Sequence, residues 1–149
     1  MRYWLALFGS LWLVAGCGSP SGSGGSTPSV RQLQVFGGVL TQDATGNVVA
    51  ADFSGRPLGD SDLAEIARHS SLRELWLTNT GVTDHGLIQL QSLPNLRVLG
   101  LARTTVSDAG LPHLAGIRSL REVYLYPNKV TDSAVDTLKA RLPGIKVVY

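Results

Sequence analysis

Apolar residues recur along this chain at a regular interval, starting at Val48. The units begin with the apolar residues Val48, Leu72, Leu96, Leu120 and Ile145, and only the last step is longer than the others, by one position. Inside a unit the apolar spacing changes from two residues, as from Leu75 to Leu77, to three residues, as from Leu87 to Leu90. A spacing of two is typical of a strand, and a spacing of three or four is typical of a helix. Each unit therefore predicts a short strand followed by a helix.

A single strand-helix unit cannot bury its apolar side alone. Stacked units place leucine on leucine and form a continuous core, for which about three units are needed. Residues 48–149 hold four such units and part of a fifth. We expect residues 30–47 to cap them, with a helix at 30–36, a glycine break at 37–38, a strand at 39–42 and a turn at 44–47. The predicted fold is an α/β solenoid.

Two segments carry a family resemblance. LRELWLTNTGVTDHGL at 72–87 and LRVLGLARTTVSDAGL at 96–111 resemble leucine-rich repeats. The subtype is similar to bacterial repeats with a Val-Thr-Asp-x-Gly-Leu signature. The resemblance covers residues 48–149 and implies a leucine-rich-repeat solenoid of about four 24-residue strand-helix repeats. In such solenoids the concave strand face is the extended surface open to partners.

An aspartate recurs in each unit just before the helical spacing begins. The four residues are Asp60, Asp84, Asp108 and Asp132. A carboxylate at a helix start accepts hydrogen bonds from free backbone N–H groups and opposes the positive end of the helix dipole. We therefore predict that these aspartates cap their helices, and that they neither hold a metal nor act as acids and bases.

The first 16 residues have the layout of a signal peptide. Arg2 supplies a positive charge, residues 3–15 are almost wholly apolar, and the small residues Ala15 and Gly16 precede Cys17. An apolar stretch of this length covers roughly 20 Å as a helix, which is short of the roughly 30 Å hydrocarbon core of a bilayer. A cleaved leader is therefore favoured over a membrane-spanning helix.

Residues 13–17, LVAGC, resemble the lipobox of bacterial lipoproteins. The resemblance implies that residues 1–16 are removed and that Cys17 is acylated, which holds the protein on a membrane of the cell envelope. The same resemblance implies that Gly18 after the cysteine, in place of aspartate, favours the outer membrane where the cell has one. An ordinary secretory leader with an incidental cysteine is the alternative. Residues 17–29 then comprise the lipidated cysteine and a flexible Gly/Ser linker.

Composition and the remaining side chains exclude several function classes. The formal net charge of +2 at pH 7 is far from the concentrated basic face that nucleic-acid binding requires. The single cysteine and three histidines lack metal-ligand spacing, and no nucleotide-binding or nucleophile motif is present. We expect no metal, no cofactor and no catalytic residue. His69 occupies the column of Leu93 and Ile117, which predicts a partly buried residue at a helix end.

The outward strand positions place aromatic residues around a glycine. One column of the predicted sheet reads Asp52, Trp76, Gly100, Tyr124 and Tyr149. Neighbouring strands lie about 4.8 Å apart, so Trp76 and Tyr124 would face each other across roughly 10 Å with only Gly100 between them. This arrangement predicts a slot with aromatic walls that admits a flat ring, a sugar, an arginine or a proline. Tyr126, two residues further along, would extend one wall.

A second column of the predicted concave face is basic. It consists of Arg73, Arg97, Arg121 and Lys146. Aromatic residues and arginine are the residues that most often anchor protein interfaces, so the two columns together form the predicted binding site. The alternative is a solvated strand surface, in which neighbouring glutamates such as Glu74 and Glu122 partly neutralise the arginines.

Three functions remain open. The first is a non-enzymatic, membrane-tethered binding module that recognises a protein, peptide or glycan through the concave face. The second is a structural cell-envelope lipoprotein without a selective ligand, and the third is a hydrolase whose site matches no known motif. The last predicted strand, Ile145–Tyr149, has an uncovered edge, so we also expect that two copies can pair edge to edge.

Overall fold

The computed structural model describes residues 30–149 as a row of short strands and short helices. The first elements are helix α1 (Val30–Val35), strand β1 (Val39–Gln42), strand β2 (Val48–Asp52) and helix α2 (Asp60–Ile66). The following elements are β3 (Glu74–Trp76), α3 (Leu87–Leu90), β4 (Val98–Gly100), α4 (Leu111–Leu114), β5 (Glu122–Tyr124), α5 (Asp132–Arg141) and β6 (Lys146–Val148). Strand and helix alternate from β2 onward, in agreement with the change in apolar spacing inside each unit.

The six strands form one sheet in chain order. β1 runs antiparallel to β2, and each later pair of neighbours is parallel. Leu75 pairs with Leu99, and Leu99 pairs with Val123, so residues one repeat apart lie side by side. Parallel strands need a crossover connection, which each short helix and its two turns supply.

The core lies between the sheet and the row of helices. The strands contribute buried side chains such as Leu75 and Leu99, and the helices contribute others such as Leu87 and Leu90. Because the period superimposes these side chains from turn to turn, each apolar layer is covered by the next one. The architecture is that of a leucine-rich-repeat solenoid.

α1 and β1 lie beside the first parallel strand. Leu33 of α1 is fully buried, and the Phe36 ring meets the Phe53 ring edge-on with centroids 6.1 Å apart.

The turn between β1 and β2 is closed by the Asp43 carboxylate. A hydrogen bond from the Thr45 hydroxyl and a second from the Asn47 N–H group lower the pKa of Asp43 to about 2. The hairpin therefore keeps its negative charge at any physiological pH.

Three of the four recurring aspartates bond to the next unit, and none of the four accepts a hydrogen bond from its own helix, so the capping prediction is wrong. Asp84 Oδ1 accepts a hydrogen bond from the Ser107 N–H group at 2.8 Å, and Asp84 Oδ2 accepts one from the Ser107 hydroxyl at 2.7 Å. We call this two-bond contact the Asp–hydroxyl bridge. The same bridge joins two further pairs, Asp60 with Thr83 and Asp108 with Thr131. The bridges tie successive turns of the solenoid together.

The helix starts explain this correction. α3 and α4 begin three residues after Asp84 and Asp108, so these carboxylates lie before the first free N–H groups of their helices. A partly buried acceptor needs a donor, and the neighbouring turn provides one. Asp60 and Asp132 are instead the first residues of α2 and α5. The cap of α5 is the Thr131 hydroxyl, which accepts a hydrogen bond from the Ala134 N–H group at 3.3 Å.

The last strand is shifted by one residue from its predicted register. β6 pairs with β5 so that Lys146 lies opposite Glu122 and Val148 lies opposite Tyr124, which preserves the spacing found between the earlier strands. Gly144, with φ at +86°, makes a turn before Ile145, which still reaches the core. The alignment of apolar residues matched Ile145 to Leu120, and it therefore placed Tyr149 beside Tyr124, where the structure has Val148.

Tyr149 leaves the aromatic column as a result of this shift. Its hydroxyl donates a hydrogen bond to Asp132 Oδ1 at 2.8 Å, and the Lys139 ammonium lies 5.9 Å from its ring centroid. The bond to Asp132 raises the pKa of the Tyr149 hydroxyl. Val148, which is 38% exposed, occupies the predicted place of Tyr149 beside Tyr124.

Candidate ligand-binding face

The open face of the sheet is the side opposite the helices. Its side chains alternate along each strand with the buried leucines, because successive strand residues point to opposite faces. One row crosses the sheet as Glu74, Val98, Glu122 and Lys146, and the next row crosses it as Asp52, Trp76, Gly100, Tyr124 and Val148. Lys146 therefore stands in the glutamate row and not in the predicted arginine column.

Trp76 and Tyr124 contact each other across Gly100. Their ring centroids are 5.2 Å apart at an angle of 38° between the ring planes. A Cβ atom on Gly100 would overlap Trp76 Cε3, so the indole lies directly on the glycine backbone. The predicted slot between two aromatic walls is therefore wrong, because the indole fills it. We call Trp76 and Tyr124 the aromatic pair.

The spacing of the strands does not fix the spacing of the rings. Trp76 and Tyr124 stand on strands two positions apart, roughly 10 Å in the sheet, but a long aromatic side chain can lean across that distance. Leaning over Gly100 removes apolar ring surface from water and brings the two rings into a favourable tilted contact. The result is a half-buried aromatic platform, with both rings reaching the surface.

Glu122 fixes the Tyr124 end of this platform. The Tyr124 hydroxyl donates a hydrogen bond to Glu122 Oε2 at 2.8 Å, and the Lys146 ammonium lies 3.4 Å from the same oxygen. The Tyr124 bond lowers the pKa of Glu122 and raises the pKa of Tyr124, and the contact with Glu122 raises the pKa of Lys146. Tyr124 thus stays a neutral donor and Glu122 an anion, so one orientation of the ring is held.

Tyr126 does not extend the platform along the strand. β5 ends at Tyr124, and Tyr126 lies two residues beyond it, just before Pro127. Its side chain is 67% exposed, which makes it one of the most accessible aromatic residues of the described chain. Because it is only two residues from Tyr124, a probe placed at this position can detect a ligand bound to the platform.

The predicted basic column lies at the edge of the sheet. Arg73, Arg97 and Arg121 each stand one residue before the first residue of a strand, where the chain enters the sheet. Arg97 N–H donates to the Arg73 carbonyl at 2.7 Å and Arg121 N–H to the Arg97 carbonyl at 2.8 Å, so their backbones are stacked. All three side chains are exposed. We call these residues the arginine rim.

Two shallow concavities adjoin the arginine rim. The first is lined by Pro94, Asn95, Arg97, Ser119 and Arg121. The second is lined by Ala115, Arg118, Arg121, Arg141, Leu142 and Pro143. Arg118 and Arg141 were missed by the sequence reasoning because they lie in different columns of the repeat and meet only through the folding of α5 beside the preceding turn.

The histidines do not assemble a site. His69 is 6% exposed, His113 is half-buried and His85 is exposed. Among residues 30–149, no group of three or more histidine, cysteine, aspartate or glutamate side chains is arranged to hold a metal ion. His69 replaces a core leucine of the repeat, and its Nε2 is buried without a hydrogen-bond partner in the described residues.

His69 is expected to make stability depend on pH. Burial is the main cause that lowers its pKa below the ordinary value of 6.5, with Glu65 opposing and Arg68 assisting the shift. Because the unfolded chain then binds a proton more readily, the free energy of unfolding should fall as pH drops below about 6.5 and level off below the folded pKa. His69→Leu should remove this component and raise stability, as measured by urea denaturation at several pH values.

His85→Gln is the control for this prediction, because His85 is exposed. It should leave the pH dependence of the urea midpoint unchanged. A His69→Leu variant that keeps the full slope between pH 6.5 and 5 would contradict the burial of a neutral His69.

Cys17, the leader at 1–16 and the linker up to residue 29 lie outside the described residues. Within residues 30–149 no helix combines the length and apolarity required to cross a membrane.

Comparisons with known proteins give remote structural likenesses only. No protein-family model and no curated protein matches this chain. An internalin from Listeria monocytogenes has a TM-score of 0.42 and 18% sequence identity, over 58% of this chain and 31% of that one. A structure of PEPR1-AtPEP1 has a TM-score of 0.43 and 17% identity, over 72% of this chain and 19% of that one. The Arabidopsis receptor kinase HAESA, in complex with the peptide hormone IDA and the co-receptor SERK1, has a TM-score of 0.42 and 15% identity, over 74% and 27%.

This chain spans less than a third of the length of each of these proteins. All three are leucine-rich-repeat proteins. At such low TM-scores and identities, the fold assignment for this chain rests on its own strand order and repeat register.

Proposed function

We propose that this chain is a non-enzymatic binding module, which takes a protein or peptide partner on the open face of its sheet. We further propose that an acylated Cys17 and the linker up to residue 29 hold the module on a membrane of the cell envelope. The lipobox resemblance supports the anchor, and the aromatic platform supports the binding role.

The aromatic pair is the observation that carries the binding role. Trp76 and Tyr124 leave part of their ring surfaces exposed on a sheet whose opposite side is fully used by the core. Burying such rings against a partner contributes more binding free energy than burying smaller side chains, and aromatic residues are over-represented among binding hot spots. Gly100 and Glu122 already fix the two rings, so little side-chain entropy is lost on binding.

A photo-crosslinking residue in the native cell tests the binding role. It is placed at Tyr126, which is 67% exposed, and not at Gly100, which is covered by the indole. We expect one dominant crosslinked species, whose yield falls about tenfold or more with Trp76→Ala, since hot-spot truncation costs about 2 kcal/mol or more. Ile88→Ala, which truncates an exposed apolar residue on a helix, should leave the yield unchanged.

The same cells test the anchor. Cys17→Ser should move the protein from the membrane fraction to the soluble fraction, because the acyl chains supply the membrane affinity. Retention of the Cys17→Ser variant in the membrane fraction would contradict the lipid anchor.

A structural role without a selective ligand is the second candidate. It is favoured by the contact between Trp76 and Tyr124, which buries against each other some of the surface that a ligand would use. A diffuse set of crosslinked envelope proteins, unchanged by Trp76→Ala, would support this candidate over the binding module. A dominant crosslink to a glycan would retain the binding role and change the class of ligand.

A further inference from the structure

Five arginines gather where the chain enters the strands. Arg73, Arg97 and Arg121 form the arginine rim, and Arg118 and Arg141 line the concavity next to Arg121. The backbones of neighbouring rim residues are stacked at strand spacing, about 4.8 Å. Like charges on neighbouring side chains repel each other, and an anion bound between them relieves the repulsion.

Among residues 30–149, no carboxylate forms an ion pair with these arginines. The ion pairs of this part of the chain join Arg68 to Glu65 and Lys146 to Glu122. Glu122, the nearest carboxylate to Arg121 along the chain, is engaged by Lys146 and the Tyr124 hydroxyl. The sequence alternative, in which glutamates neutralise the rim, therefore does not hold for Arg121.

Arg121 is held in position with one edge free. Its Nη1 donates hydrogen bonds to the carbonyl oxygens of Arg118 at 3.2 Å and Leu120 at 2.9 Å. No hydrogen bond in the described part of the chain uses its Nε or Nη2, which form the edge that pairs with a carboxylate through two parallel bonds. The guanidinium is thus fixed by the protein between the two concavities, and its second edge remains available.

Ser119 adds an unused donor to the first concavity. Its Oγ is buried and has no hydrogen-bond partner among residues 30–149. Ser119 lines the same concavity as Arg97 and Arg121. A buried hydroxyl without a partner lowers stability, and an oxyanion seated between the two arginines would satisfy it.

We propose that the two concavities of the arginine rim bind neighbouring carboxylates of an acidic peptide segment. Arg97, Arg121 and Ser119 hold the first carboxylate, and Arg118 and Arg141 hold the second. This inference rests on the proposed function, because it names the chemistry of the partner that lies on the open face. Since Arg121 lines both concavities, the two carboxylates belong to residues close together in the partner.

The position of the rim relates the acidic segment to the aromatic platform. Arg121 and Tyr124 are three residues apart on one extended segment, which corresponds to roughly 10 Å. An extended peptide covers that distance in about three residues. Because this spacing is odd, the two side chains leave the strand on opposite faces, so a partner that contacts both passes around the edge of the sheet.

A peptide fits this surface better than a membrane does. Membrane-binding surfaces combine basic residues with apolar side chains that insert among the lipids. The large exposed apolar side chains of the described chain are Val35, Val39, Ile88, Tyr126, Val148 and Tyr149. None of them lines either concavity.

Fluorescence anisotropy with labelled peptides tests the proposal. The full chain, in a non-ionic detergent, is titrated into a labelled hexaglutamate peptide and, separately, into a labelled hexaglutamine peptide. We expect only hexaglutamate to bind, with an affinity that falls several-fold as the salt concentration rises from about 50 to about 500 mM, because exposed charges are screened. Arg97→Gln/Arg121→Gln should weaken binding about tenfold or more.

Two further variants separate a specific site from general charge. Arg31→Gln/Lys129→Gln removes the same charge from exposed residues outside the rim, and it should leave the affinity within about twofold. Ser119→Ala should weaken hexaglutamate binding about three- to tenfold, as expected for the loss of one hydrogen bond to a charged group. Circular dichroism checks that each variant is folded. Arg97→Lys/Arg121→Lys keeps the charge but loses the paired hydrogen bonds, so it should bind hexaglutamate with an affinity between those of the unsubstituted protein and Arg97→Gln/Arg121→Gln.

Several results would overturn the proposal. These are equal binding of both peptides, equal weakening by the Arg31→Gln/Lys129→Gln control, and hexaglutamate binding unaffected by Ser119→Ala. Binding of phosphatidylglycerol vesicles that requires Arg97 and Arg121, without hexaglutamate binding, would assign the rim to a membrane surface. If hexaglutamate fails to bind while crosslinking at Tyr126 still depends on Trp76, this inference fails and the proposed function stands. If crosslinking is independent of Trp76 while hexaglutamate binds the rim, the proposed function fails.

Discussion

Leu99→Ala is expected to lower the free energy of unfolding by about 2–5 kcal/mol. Leu99 lies at the centre of the sheet, is fully buried, and pairs with Leu75 and Val123 on the neighbouring strands. Truncation removes apolar contacts with layers above and below, and the stacked turns on both sides limit how far the cavity can collapse. Because a domain of this size has a total stability of about 5–15 kcal/mol, urea denaturation followed by circular dichroism should resolve the loss.

Val98→Ala is the matched control, because Val98 precedes Leu99 on the same strand and points to the open face. It should cost less than about 1 kcal/mol, in the range for surface substitutions that leave the core intact. Similar losses for Leu99→Ala and Val98→Ala would contradict the assignment of the two faces of the sheet.

The elements of the repeat were predictable from the sequence because they depend on burial. Leu75 and Leu77 alternate, Leu87 and Leu90 follow helical spacing, and both patterns recur at the same interval from unit to unit. Burial of apolar side chains dominates folding, so a registered apolar pattern identifies the strands, the helices and their stacking. The sheet order and the parallel register follow from the same repeat.

The one-residue error at the last strand has a local cause. The apolar pattern shows that Ile145 is buried, but it does not show whether Ile145 belongs to the strand or to the turn before it. Gly144 has a positive φ, which redirects the chain before the strand and restores the register of the earlier strands. One residue of slip reverses the face of each strand residue, and for this reason Tyr149 was assigned to the wrong neighbour.

The details of the binding face depend on side-chain directions that a column alignment does not contain. Trp76 and Tyr124 were placed in the correct row, but their rings lean over Gly100 and meet. Arg121 was predicted to lie in a basic column on the concave face, but its bonds to two carbonyl groups hold it at the rim. The buried hydroxyl of Ser119 gave no signal in the sequence, because serine is common in turns for many reasons.

The Asp–hydroxyl bridge accounts for most of the repeat signature. In the segment from Val106 to Leu111, Ser107 receives the aspartate of the preceding unit, and Asp108 reaches forward to the next one. Gly110 stands beside the incoming Asp84, with no side chain to obstruct it. The Val-Thr-Asp-x-Gly-Leu signature resembles the start of a helix, but its residues are used for contacts between successive turns of the solenoid.

Gly110→Ala is expected to destabilise the protein by about 1–3 kcal/mol through this contact. A Cβ atom at this position would overlap Asp84 Oδ1 and would approach Leu87 Cδ1 at 3.0 Å and Val106 Cγ1 at 3.1 Å. Asp84 would have to move, and its bonds to Ser107 would weaken. The backbone itself does not require glycine, because φ is −79° and ψ is −26°.

The sign of the change makes this prediction decisive. At a position whose backbone suits any residue, alanine in place of glycine stabilises a protein by about 0.4–1 kcal/mol through the entropy of the unfolded chain. A stabilising Gly110→Ala would therefore show that the bridge tolerates a side chain. In a double-mutant cycle with Asp84→Ala, the two losses should fall short of additivity by at least about 0.5 kcal/mol, because both variants disturb one contact.

Neighbouring units supply the natural comparison. Asp62 occupies the equivalent position of the first unit, where it accepts a hydrogen bond from the Gly59 N–H group. Ala134 occupies it in the unit of α5, and there a groove lined by Asp108, Leu111, Pro112, Ala134, Thr137 and Leu138 separates α5 from α4. Ala134→Gly should be destabilising by about 0.5–1 kcal/mol, the usual cost of glycine inside a helix, because the Cβ atom of Ala134 already has room and its removal relieves no overlap. Opposite substitutions at Gly110 and Ala134 are thus both expected to destabilise. Both units receive an aspartate from the preceding turn, but the groove beside Ala134 has room for a Cβ atom, whereas Asp84, Leu87 and Val106 leave none at Gly110.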